Sequence, residues 1–136
     1  MEIARIDPNL AIKSNIDQQD LVWYDCREAP FSLHGLLWED GFCRMPGKRA
    51  EQVSQNVSIL SRNTAGGRVR FRTDSPYVAI SCTMPSIIRF PHMALLGTTG
   101  FDLYVDGVFA NTFRMPVDLT EGYEAIVRLP GSDMRD

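Results

Sequence analysis

The chain has 136 residues, 44% of them hydrophobic and 23% charged, with a formal net charge of −3. That is one domain's worth of sequence, able to bury roughly 68–70% of its unfolded surface around a single core. The negative balance argues against nucleic acid as a partner, because phosphate binding needs a basic surface, and no apolar run approaches the roughly 18 residues of a membrane span, so no membrane partner is expected.

Residues 1–20 mix short apolar pairs with acids and amides, and Leu10 to Ile12 reads as a short strand after the turn signal at Asp7-Pro8-Asn9. The segment from Met1 to Pro8 has no hydrophobic stretch of the kind a signal peptide needs. Cys26, Cys43 and Cys82 are an odd number at wide spacings, which fits neither a disulfide framework nor a CxxC metal site. A bacterial-type cytoplasmic protein with reduced thiols is the expectation.

Leu21 to Tyr24 is a compact run of β-formers, ended by Asp25 and then Pro30. Gly35 to Trp38 reads as a strand, Glu39-Asp40-Gly41 as a turn, and Arg44 to Ala50 as a loop. Glu51 to Ser61 carries two periods at once. Val53, Val57 and Leu60 fit a helix, whereas Val57 and Ile59 fit a strand, so a short helical turn leading into a strand is expected.

After the turn at Asn63 to Gly67, Arg68 to Thr73 alternates, with Val69 and Phe71 inward and Arg68, Arg70 and Arg72 outward. Asp74-Ser75-Pro76 interrupts. Tyr77 to Met84 alternates again, placing Val78, Ile80, Cys82 and Met84 on one face. The short polar loop between these two strands leads us to expect antiparallel pairing. Ser86 to Leu96 is irregular and apolar, broken by Pro91 and His92.

The strongest local signal runs from Gly97 to Phe113. Phe101, Leu103 and Val105 alternate with Asp102 and Tyr104, and Asp106-Gly107 is a pair that accepts the positive φ angles of a type I′ turn. Val108 to Phe113 returns as a second strand, so this stretch is a β-hairpin. Met115-Pro116 ends it, and Tyr123 to Leu129 is a last alternating strand before Pro130-Gly131. Roughly seven to nine short strands and frequent turn signals indicate an all-β, antiparallel sandwich or barrel with at most one short helical turn.

A search for chemistry returns little. His34 and His92 have no acid three residues before them, and Gly-x-Ser-x-Gly is absent. Gly41 stands one position too far from Gly47-Lys48 for a phosphate loop, and Arg49 replaces the Ser or Thr that would hold Mg²⁺. No HExxH or EF-hand loop occurs. Asp102 and Asp106 are the residues that a Ca²⁺ site would use, but an aspartate in a turn is ordinarily part of the turn. No catalytic residue, metal ligand or cofactor is assigned.

Three features remain. Arg68, Arg70 and Arg72 form a stripe that reads either as a solvated strand face or as a docking face for carboxylates, which guanidinium groups bind bidentately. Trp23, Tyr24, Trp38, Tyr77 and Tyr104 read either as core aromatics or as a sugar platform. His92 lies in an apolar loop beside the hairpin and reads as structural more readily than as catalytic.

The segment Gly100-Phe101-Asp102-Leu103-Tyr104 resembles the Gly-x-Asp-Leu-Tyr signature named for the N-terminal domain of certain SGNH/GDSL-type esterases. Trp23 to Asp25 with Pro30, Phe31 and Gly35 to Trp38 is similar to that family too, as are Leu60 to Ser75 and Met93 to Asp106. The resemblance implies a jelly-roll-like β-sandwich, residues 1–136 forming a single N-terminal domain cut off before an SGNH hydrolase domain. That second domain, joined in the same polypeptide, would hydrolyse esters such as acylated carbohydrates. Neither the Gly-Asp-Ser block nor the Asp-x-x-His block of such a hydrolase is present, and Gly131-Ser132-Asp133 has the letters in the wrong order. The expected role is therefore a non-catalytic accessory domain that packs against the catalytic domain. Arg70, Arg72, His92, Asp102 and Tyr104 are its candidate docking or ligand face. An independent carbohydrate-binding module is the alternative, with Trp23 and Trp38 as its platform.

Overall fold

The computed structural model describes residues 14–131 and 133–136. The strand expected at Leu10 to Ile12 lies outside the described residues. The chain folds into two compact units. One is Tyr24–Arg72, and the other is Thr73–Asp136 with the described part of Met1–Trp23.

In the Tyr24–Arg72 unit, β1 (Ser32–His34) pairs antiparallel with β4 (Arg68–Arg70), and β2 (Leu37–Trp38) with β3 (Phe42–Cys43). The expected strand at Gly35 to Trp38 is split, because Gly35 has a φ of 70° and starts β2 two residues later. The Glu39-Asp40-Gly41 turn joins β2 to β3, with φ of 54° at Asp40 and 130° at Gly41. Val69, expected inward, is 39% exposed. A ribbon of two strands has no second layer of its own to cover that face. Phe71, just beyond β4, is half-buried and packs on Phe31 with ring centroids 5.0 Å apart.

Helix is the main correction in this unit. Gly47–Val53, expected as loop and helical turn, is α1, and Gln55–Leu60, expected to enter a strand, is α2. The reason is local. The Glu39 carboxylate accepts the Gly47 N–H at 2.8 Å, taking one of the donors a helix start leaves unpaired. Ser54 then breaks α1 in extended geometry and caps α2, its hydroxyl accepting the Val57 N–H at 3.2 Å. Ala50 is the buried residue of α1, whereas Val53 and Leu60 of the helical period are 66% and 54% exposed, so the caps and not burial of that stripe favour helix here.

The second unit contains β5 (Tyr77–Thr83), α3 (Leu95–Thr99), β6 (Asp102–Val105), β7 (Val108–Thr112) and β8 (Gly122–Arg128). β5 pairs antiparallel with β8, not with β4 as expected, and β6 pairs with β7. The segment between β4 and β5 cannot close a hairpin because it is engaged elsewhere. Thr73 exchanges both backbone hydrogen bonds with Arg135, at 2.9 Å each, and this holds the chain extended. Leu21 to Tyr24, a run of β-formers, lies outside every assigned strand; the Leu21 amide donates to the Gln18 carbonyl in a turn instead.

The core of this unit follows the period-two pattern. Tyr123, Ala125 and Val127 of β8 are buried, opposite Cys82, Ile80 and Val78 of β5 in register, with Phe113 and Leu119 beside them. Leu103, Met115 and Leu129 pack on the same cluster. Burial of a side chain such as Phe113 or Val127 contributes about 1.5–3 kcal/mol. The opposite face of the β5–β8 ribbon carries a polar strap. Ser14 Oγ and the Asn15 N–H both donate to Glu124 Oε2 at 2.8 Å, Arg128 donates to Gln18, and the Tyr77 hydroxyl donates to Asp20 at 3.0 Å.

Among the described residues, strands predominate over short helices, and the strands form four two-stranded antiparallel ribbons that close no barrel. Three short helices stand among the described residues, where at most one helical turn was expected. No helix among the described residues is long and apolar enough to cross a membrane.

Candidate functional site

The β6–β7 hairpin forms as its sequence dictates. Asp106 and Gly107 have φ of 50° and 80°, and the chain reverses there. The register is Asp102 opposite Thr112, Leu103 opposite Asn111, Tyr104 opposite Phe109 and Val105 opposite Val108. Ala110 is therefore the extra residue of a bulge, which brings Phe109 beside Tyr104. Their rings meet edge-on at 5.8 Å, a cross-strand pair of the kind worth about 0.2–1 kcal/mol.

Each residue of Gly100 to Tyr104 has a visible task. Gly100 closes α3, donating its N–H to the Leu96 carbonyl at 2.8 Å. A β-carbon at Gly100 would come far inside 3.0 Å of that same carbonyl oxygen, so only glycine fits. The Phe101 carbonyl accepts the Phe113 N–H at 2.9 Å and starts the hairpin. Phe101, on the apolar side of the alternation, is nonetheless 42% exposed, its ring tilted 6.2 Å from Tyr123. Asp102 accepts the Thr112 hydroxyl at 2.6 Å. Leu103 enters the core, and Tyr104 is 57% exposed on the other face. Gly97, where the hairpin signal begins in the sequence, sits inside α3 instead.

Behind the hairpin, the Tyr123 hydroxyl donates to the carbonyl of buried Thr99 at 3.3 Å. Burial pushes this phenol up to about 12, and the neighbouring Cys82 adds to the shift. It is a fastening of α3 to β8, since a phenol so hard to ionise stays a hydrogen-bond donor.

The expected docking residues fall in both units. Asp102 and Tyr104 share the outer face of β6. His92 belongs to the same unit, is exposed, and packs its ring 5.6 Å from Phe90. Arg70 and Arg72 belong to the other unit, exposed at and just beyond the end of β4. The expected platform tryptophans are likewise divided, half-buried Trp23 from Trp38, which is 48% exposed.

Trp38 is not a bare ring. The Arg27 guanidinium lies 4.3 Å above it, and Phe42 meets it edge-on at 5.0 Å. Arg27 in turn forms an ion pair with Asp25 through both Nε and Nη2. Sequence reasoning missed this clamp, although Asp25-x-Arg27 beside an aromatic strand was visible. Hydrogen bonds from the Arg27 side chain, with its backbone N–H adding, hold the Asp25 carboxyl at about 2, below its ordinary 3.8. A carboxyl depressed on folding stabilises the fold above its unfolded value, and that contribution is lost as pH falls from about 3.8 through about 2. We expect the Asp25 carboxyl carbon to titrate by NMR near 2 and to return towards 3.8 in Arg27→Ala; an unchanged midpoint in the variant would show that Arg27 is not the cause.

A serine and a histidine do meet in the Tyr24–Arg72 unit. Ser32 Oγ stands 3.2 Å from His34 Nε2, two residues apart on β1. Ser32 Oγ also stands 3.4 Å from the Arg70 carbonyl, so its hydroxyl has a backbone acceptor as well as the ring. A nucleophile needs a base that is itself oriented by a third group, and the bonds of His34 supply none. Among the described residues, no three His, Cys, Asp or Glu side chains are placed to hold a metal ion.

The family described as GxDLY, N-terminus of Esterase_SGNH_hydro-type, matches residues 21–115. The chain belongs to this family. The matched range includes the Asp25–Arg27–Trp38 clamp and the whole hairpin, while β8, which supplies Tyr123, Ala125 and Val127, lies beyond it. The GxDLY segment is Gly100 to Tyr104, and its conformation is set by the close approach at Gly100 and the bulge opposite Tyr104. No curated protein and no solved structure matched the chain.

Proposed function

We propose that this GxDLY chain is one non-catalytic accessory domain at the N-terminal side of an SGNH-type ester hydrolase. It packs against the catalytic domain of the same polypeptide and shapes the substrate cleft, and the substrates are acylated carbohydrates or related esters. The family match over residues 21–115 carries this reading. The sequence supports it by lacking the Gly-Asp-Ser and Asp-x-x-His blocks. The jelly-roll arrangement implied by the resemblance belongs to the same proposal and draws on the antiparallel ribbons. A carbohydrate-binding module draws less support, because the Arg27 guanidinium lies over the Trp38 ring, where a sugar would stack.

The chain alone is expected to hydrolyse p-nitrophenyl acetate no faster than background, and Ser32→Ala is expected to leave that rate unchanged. Saturable turnover that a serine-directed inhibitor abolishes would overturn the accessory role. Turnover lost in Ser32→Ala would locate the activity at the Ser32–His34 contact.

A further inference from the structure

We infer that the outer face of the β6–β7 hairpin is the surface on which the catalytic domain docks, with Tyr104 and Phe109 as its aromatic anchors. This rests on the accessory-domain reading and names the surface that reading leaves open.

Two independent observations carry it. The first is the surface itself. Tyr104 and Phe109 are 57% and 54% exposed and lie side by side at the turn end of the ribbon. Aromatic side chains gathered at an exposed site are the compositional mark of protein interfaces, where they supply most of the binding energy. Asp102 at the edge of this face already has the Thr112 hydroxyl as donor, so covering the patch leaves its carboxylate hydrogen-bonded.

The second is the path of the chain after β8. Arg135 is fixed by its paired hydrogen bonds to Thr73. One residue on, the Asp106 N–H donates to the Asp136 carbonyl at 2.8 Å, and the Asp136 N–H donates to Asp106 Oδ1 at 3.1 Å. Asp136 is thereby held at the hairpin turn, against Asp106, two residues on from Tyr104. A domain joined after Asp136 starts at this patch, and the tether raises its local concentration to roughly millimolar, so a small patch suffices for docking.

The test uses the full-length esterase polypeptide with p-benzoylphenylalanine in place of Tyr104, in place of Phe109, or in place of Arg72. Each protein is irradiated, and the crosslinked peptides are identified by mass spectrometry. The probe adds a benzoyl group to a phenylalanine ring, all three positions are exposed and have room for it, and circular dichroism checks folding for each protein. The expected result is crosslinks from positions 104 and 109 to peptides beyond residue 136 of the same molecule, and none from position 72. Crosslinks to those peptides from position 72 alone would leave the accessory-domain reading standing and overturn the hairpin as its surface. Crosslinks from 104 only between two copies, seen as a band of doubled mass, would assign the patch to self-association and overturn the inference. No crosslink to those peptides from any of the three positions would remove the docked-domain reading together with this one.

Discussion

Gly122→Ala is expected to destabilise the protein by about 2–6 kcal/mol, one of the two largest effects a single substitution should have here. Gly122 opens β8 with a φ of 149°, a conformation that side chains rarely adopt and that costs on the order of 1–3 kcal/mol. A β-carbon there would also press well inside 3.0 Å of the Cys82 carbonyl oxygen, which is backbone and cannot swing aside. Overpacking of that kind adds about 1–3 kcal/mol. Gly66 offers the matched control: its φ is 83°, but nothing lies within 4 Å of a β-carbon built on it. Gly66→Ala should therefore show only the backbone part of the cost. Urea unfolding followed by circular dichroism measures both. Equal losses in the two variants would show that the contact with Cys82 relaxes without cost.

Phe113→Ala should cost about 3–5 kcal/mol, the usual range for emptying a buried aromatic site. Phe113 is 3% exposed and joins the end of β7 to the Leu119, Tyr123, Ala125 and Val127 cluster. Its backbone stays bonded to Phe101, so the loss is one of packing, not of hairpin hydrogen bonding. At about 3 °C per kcal/mol for a chain of this size, the melting temperature should fall by roughly 9–15 °C. Val117, 94% exposed in the loop that follows, should tolerate alanine to within about 0.5 kcal/mol. A melting temperature for Phe113→Ala within a degree or two of the parent would mean that the cluster is not the core of its unit.

The clamp and the hairpin differ in how they would respond to solution conditions. The Asp25–Arg27 pair is exposed and depends on Asp25 remaining ionised, so it weakens in acid and in salt. The hairpin face holds its aromatics by shape and register, which neither condition disturbs. A docking surface built on Tyr104 and Phe109 is therefore one that salt should not release.

Much of this was legible in the amino-acid order. The hairpin, its Asp106-Gly107 turn, the apolar face of β5 and the alternation of β8 all follow from local rules, because a period of two and a turn pair need no information from elsewhere in the chain. The family was legible too, since Gly100 to Tyr104 is a contiguous motif. What the order of residues could not determine was pairing. Ladder partners are distant in sequence, and β5 found β8 instead of β4 because Thr73 is tied to Arg135 sixty-odd residues away. The helices α1 and α2 prevailed where helix and strand periods coincided, through caps supplied by Glu39 and Ser54.

The same division holds for the candidate site. Asp102 and Tyr104 could be read as facing away from the core, because strand alternation alone decides that. Their partner Phe109, brought alongside by the Ala110 bulge, and the return of Asp136 to the turn exist only in the folded chain. A bulge and a long-range backbone hydrogen bond are set by the fit of distant segments, and no local pattern records them.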